Sequence, residues 1–117
     1  MEGFAMAFDT VPSAATVARV ALTDTNQQTL VAAPGTGYRL KVYALTGSNA
    51  GGSLSTVDIK DGSTIKFSYA MASSGGGFAM PPGAAWLLAE NSALNVQQSA
   101  AVNSYVSAIY TVVGAAG

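Results

Sequence analysis

The chain has 117 residues, 50% of them hydrophobic and only 9% charged, with a formal net charge of −1. This length suits one domain, and about 25% charge is usual in a soluble one. Cysteine and histidine are both absent, which removes disulfide staples, thiol chemistry, the commonest general base and the commonest metal ligand, and the near-neutral charge leaves no basic footprint for nucleic acid.

Residues 1–15 show no periodicity as a whole. They carry Phe4, Met6 and Phe8 ahead of Pro12. The stretch reads as an N-terminal arm or an irregular first strand; phenylalanines left in solvent need a partner surface, which favours the arm, with Phe4 and Phe8 at an interface. The remainder, 16–117, is expected to form one domain.

Thr16–Leu22 is rich in β-branched residues and stops at the turn cluster Thr23-Asp24-Thr25-Asn26. Gln28–Ala32 reads as a short second strand, and Pro34-Gly35-Thr36-Gly37 as a loop. Tyr38–Leu45 alternates: Tyr38, Leu40, Val42 and Ala44 fall on one side, Arg39, Lys41 and Tyr43 on the other. Period two is the mark of a strand with one buried face, so Tyr43 is expected to point outward as an exposed contact residue.

Val57–Lys60 and Ser63–Met71 flank Asp61-Gly62, which predicts a β-hairpin with a type I′ turn. Ile65, Phe67, Tyr69 and Met71 are placed on one side of the return strand. Ser73–Gly77 is expected to be a flexible break. Ala85–Ala89 and Leu94–Gln98 flank Glu90-Asn91-Ser92-Ala93 and suggest a second hairpin. Val102–Val113 is apolar on both sides: Val102, Val106, Ala108, Tyr110 and Val112 share one, Tyr105, Ile109 and Val113 the other. Strands buried on both faces have this pattern, so Tyr105, Ile109 and Val113 are expected to be covered by another subunit or by the arm.

About eight short strands with frequent turn signals predict an all-β fold, an antiparallel sandwich, jelly roll or barrel. A chain so poor in charge is expected to hide surface in an oligomer, because obligate interfaces resemble a domain core cut in half. No run of 18 to 20 apolar residues suggests a membrane span. Met1–Ala7 carries Glu2 where a signal peptide would be basic, so a cytoplasmic site of synthesis is expected.

Catalytic material is sparse. A Ser–Lys dyad would have to use Lys60 or Lys66, both on the polar side of the hairpin. Asp24 and Asp61 occupy turns, where aspartate serves the backbone. The glycine-rich loops Gly47–Ser53 and Gly75–Gly77 lack the Lys-Ser/Thr ending of a phosphate loop. Asp58 and Asp61 are too few for calcium. No enzyme activity, no cofactor and no metal is therefore expected. The tyrosines and Trp86 suit core or interface positions, with a sugar-stacking platform as the other reading.

Val57-Asp58-Ile59-Lys60-Asp61-Gly62-Ser63-Thr64, followed by Gly75-Gly76-Gly77-Phe78-Ala79-Met80-Pro81, Trp86 and Ala89–Ala100, resembles the small β-sandwich proteins that decorate or cement the heads of tailed bacteriophages. The resemblance spans roughly residues 16–113 and is one of pattern, without a catalytic signature. It implies a jelly-roll-like sandwich, self-association, often as trimers, and binding to the major capsid protein on the virion surface. A tail, baseplate or fibre-tip domain and a carbohydrate- or host-surface-binding module stand as alternatives.

Overall fold

A computed structural model describes residues 14–80 and 85–115. Among them are nine strands and no helix: β1 (Thr16–Leu22), β2 (Gln28–Val31), β3 (Tyr38–Asn49), β4 (Ser55–Asp61), β5 (Thr64–Met71), β6 (Gly77–Met80), β7 (Trp86–Leu87), β8 (Leu94–Gln98) and β9 (Ser104–Gly114). They form two antiparallel sheets. One, here sheet A, has the order β1-β9-β3-β6, with β7 pairing the same side of β3. The other, sheet B, has the order β2-β8-β4-β5.

The pairing is nested: β1 with β9, β2 with β8, β3 with β6 and β4 with β5. A long antiparallel hairpin rolled into two facing sheets gives this order, which is the jelly roll. The expected β-sandwich is thus the observed fold. Its core lies between the sheets, built from Leu22, Leu40, Val42, Leu45 and Val106 of sheet A and Val57, Ile59, Met71, Leu94 and Val96 of sheet B, with Leu88 from the segment after β7. Phe67, Tyr69, Phe78 and Trp86 close one side. Phe67 meets Trp86 edge-on at 5.1 Å, and Tyr69 stacks on Phe78 at 4.3 Å. Trp86 and Tyr69 thus take part in packing, each half-buried.

Four local expectations are corrected. The strand β3 does not alternate throughout, because a bulge between Val42 and Ala44 shifts its register against β9. A one-residue slip exchanges the two faces. Leu40 and Val42 are buried before the bulge, and Leu45 and Asn49 after it.

The β4–β5 hairpin exists, but its turn is Gly62-Ser63, closed by Asp61 and Thr64. Only Gly62 has positive φ, at 64°, which is the sign pattern of type II′ with glycine first. A register shift beyond Ile59 then sets Ile65 opposite Lys60, and Ile65 is 53% exposed instead of sharing the core face of Phe67.

The second expected hairpin is absent: β7 joins β3 in sheet A, whereas β8 lies between β2 and β4 in sheet B. The stretch around Glu90 crosses from sheet to sheet. There Asp61 accepts from Ala89 N and Ser92 Oγ, and Glu90 accepts from Gly37 N at 2.7 Å.

Ser73–Gly77 is a tied loop instead of a loose break. Ser74 N donates to Gly51 O and Gly75 N to Asn49 O, and Asn49 N donates to Gly76 O. Ser74 and Gly75 take positive φ, which lets successive amides turn toward that end of β3.

The same end of the sandwich holds a buried polar cluster. Gln98 Nε2 donates to the Asp24 and Val102 carbonyls, and its Oε1 accepts from Ser104 Oγ at 2.7 Å and from Ser55 Oγ at 3.4 Å. Gln98 is 2% exposed, and among the described residues no buried side-chain polar atom lacks a partner. Gln98→Leu leaves two carbonyls and two hydroxyls without these bonds. It is expected to lower stability by about 1–3 kcal/mol in urea titration, the usual cost of unsatisfied buried groups.

Candidate functional site

The outer faces of the two sheets differ in chemistry. On sheet B the exposed side is largely polar and cross-linked, although Ile65 is 53% exposed there. Thr29 Oγ1 donates to Asn95 Oδ1, Ser68 Oγ donates to Asp58 at 2.7 Å, and Lys60 Nζ donates to both Gln97 and Gln27. The charges of its strands balance, Asp58 and Asp61 against Lys60 and Lys66. The strands of sheet A contain Arg19, Arg39 and Lys41 and no carboxylate.

The outer face of sheet A is also where the sequence-predicted contact residues gather. Tyr105, Ile109 and Val113 recur every fourth position along β9, so the two-residue repeat of a strand puts them on one side. All three are half-buried. Ile109 lies between Val17 of β1 and Ala44 of β3. Arg19 sets its guanidinium 4.6 Å from the centre of the Tyr105 ring, a stacking distance for a cation on an aromatic face.

Tyr43 joins this face but is not the exposed contact expected of it. It stands in the β3 bulge, unpaired in register, and is only 6% exposed. Lys41 Nζ lies 5.5 Å from its ring centre, and Thr111 Oγ1 donates to its hydroxyl at 3.4 Å. The bulge turns the ring down onto the sheet, where it fills space a regular strand would leave. Phe4 and Phe8 lie outside the described residues.

Two adjoining shallow cavities lie along this face. One, of about 230 Å³, is lined by Arg19, Thr46, Gly47, Ser48, Tyr105 and Ser107. The other, of about 200 Å³, is lined by Val17, Ala44, Thr46, Ser107, Ala108 and Ile109. They share Thr46 and Ser107 and make one groove, cationic and hydroxyl-rich at one end and apolar at the other. Val17, Arg19, Thr46 and Ser107 were not singled out from the sequence. The available signal was the alternation of Val17 and Arg19 with Ala18 and Val20. Nothing in it shows that β1 lies against β9, with Thr16 opposite Tyr110 and Leu22 opposite Ser104.

The groove has no catalytic constellation: its one ionisable cation is Arg19, its hydroxyls have no base beside them, and among the described residues no three His, Cys, Asp or Glu side chains gather to hold a metal ion. It offers a charge, an aromatic ring, hydroxyls and an apolar trough, which is the equipment for binding.

Tyr43→Ala is expected to reduce the stability of the chain by about 2–4 kcal/mol, as truncation of a buried aromatic does. Thermal and urea unfolding at low protein concentration would show it. A contact-only role would leave those curves unchanged.

No family model matches this sequence, and no curated protein matches it either. Among solved structures, the chain is similar to one from a virus-like particle of extra small virus of the giant freshwater prawn Macrobrachium rosenbergii, imaged by cryo-electron microscopy. The match has a TM-score of 0.52 at 14% identity and covers 96% of this chain and 82% of that one. At this identity the likeness is one of fold.

Proposed function

We propose that this chain is a structural protein of a virus particle, a jelly-roll subunit that works by packing against other subunits and not by catalysis. The observation that carries the reading is the fold likeness to a chain of a virus-like particle across 96% of the sequence. Composition supports it. A surface with only 9% charged residues suits a subunit whose exposed area is removed from water on assembly. The outer face of sheet A, with Tyr105, Ile109 and Val113, is the proposed contact surface, together with Phe4 and Phe8 of the N-terminal residues.

The finer form of the proposal is a decoration or cement protein of a tailed-phage head, self-associating as a trimer and binding the major capsid protein on the outside of the shell. A cement protein stabilises a shell by mass action, since it binds the assembled form and not the free subunit. The second reading is a shell-forming subunit, favoured by the particle from which the similar chain comes.

Light scattering and electron microscopy of the purified chain, alone and mixed with phage heads that lack a decoration protein, test these readings. A discrete oligomer that adds regular density to the heads is the expected result. Closed particles formed by the chain alone would replace the cement reading with the shell reading. A monomer at all concentrations that leaves the heads bare would overturn the structural reading itself.

A further inference from the structure

The groove on sheet A has a definite pattern. Along β1, Val17 lines its apolar end and Arg19 its cationic end. Alternate side chains of a strand stand roughly 6.6 Å apart, so a ligand for this groove presents an apolar group and an anionic group at that spacing. In an extended peptide those are residues i and i+2. The apolar cavity, about 200 Å³, has room for a phenyl ring, since a cavity of about 150 Å³ holds benzene.

The chain contains such a peptide. Residues 1–15 lack a period as a whole, yet Gly3-Phe4-Ala5-Met6-Ala7-Phe8 alternates small and large. In extended form Glu2, Phe4, Met6 and Phe8 fall on one side. Glu2 and Phe4 are the required anion and phenyl two residues apart. The charges are complementary: residues 1–13 contain Glu2 and Asp9 and no Lys or Arg, whereas the strands of sheet A contain three cations and no carboxylate.

We propose that the groove between Val17 and Arg19 is the docking site for residues 2–8 of the same chain, with Phe4 in the apolar end against Val17 and Ile109 and Glu2 beside Arg19. This order runs the segment antiparallel to β1 and brings its later residues toward the end of the sheet where β1 begins. Residues 10–15 bridge the return. Six residues span at most about 20 Å, and Pro12 and Ser13 among them suit a reversal. Linkage within one chain gives an effective concentration on the order of millimolar, above that of a second copy in dilute solution. The inference does not rest on the assembly reading, since a lone chain closes its own groove. In an assembly the docked segment becomes the outermost layer of that face.

The natural chain has no cysteine, so disulfide trapping in the full chain is unambiguous. Met6→Cys, which leaves Phe4 and Glu2 in place, is combined with Val17→Cys, with Thr46→Cys as a second groove position, or with Ser68→Cys on the outer face of sheet B. Val17 is 67% exposed, so its replacement leaves the core intact. The groove pairs are expected to close at least about tenfold faster than the Ser68 pair, as an intrachain link on a non-reducing gel, because closure follows local access. Adding Arg19→Glu is expected to slow the groove link, and adding Glu2→Arg to that variant to restore it. Equal rates at the two faces, or a rate indifferent to Arg19→Glu, would overturn the docking site. A link found only between chains would overturn docking within the chain and give the groove to a neighbour's segment.

Discussion

The ladder between β3 and β9 is the constraint on which the rest of this molecule depends. It runs from Tyr38 opposite Gly114 to Asn49 opposite Ser104, and it is interrupted once, at Tyr43. Because side chains alternate along a strand, that single extra residue decides which half of β3 faces inward. Before it, Leu40 and Val42 enter the core. After it, Leu45 does, and Gly47 then comes to lie under the Phe78 ring, which occupies the space a Cβ would need. An unbroken strand would have sent Leu45 to solvent and a bare backbone position outward. The bulge therefore supports the aromatic closure of the sandwich as well as the seat of Tyr43.

The same irregularity shapes the candidate face. With Tyr43 laid down beside Lys41 and Thr111, the trough between β1, β9 and β3 stays open at Ala44 and Thr46, and two small residues at its floor leave depth for a ligand group. On sheet B several exposed hydroxyls, amides and charges pair with one another, from Thr29 and Asn95 to Lys60 and Gln97. Polar groups already paired have less to gain from a partner, which leaves sheet A as the better binding surface.

Much of this was legible in the sequence, and the failures have a common cause. The strands were found because β-branched and aromatic residues recur at period two, and the double-sided pattern of β9 correctly separated Val106 and Ala108 from Tyr105 and Ile109. The misplacements at Tyr43 and Ile65 both come from bulges, which break the period without leaving a composition signal. The false hairpin around Glu90 has a different origin. Short runs joined by turn residues look alike whether the chain folds back within a sheet or steps to the opposite one, and only the long-range partners of β7 and β8 distinguish the two. The groove was invisible for the same reason, since its walls come from strands near opposite ends of the sequence.

The nested pairing also governs the order in which the molecule can form. The strand between β1 and β3 is β9, the last of the described strands. While the chain is being synthesised, β4 and β5 can pair as a local hairpin early, but β1 and β3 have no neighbour in common until residue 114 has left the ribosome. Non-local closure of this kind is slow relative to hairpin formation. Until it happens, the apolar sides of β1 and β3 and their unpaired edges are open to wrong partners. Formation of this last described strand is thus the step that converts a collection of strands into a closed sandwich, and it is the stage at which a crowded cell has the greatest opportunity to divert the chain.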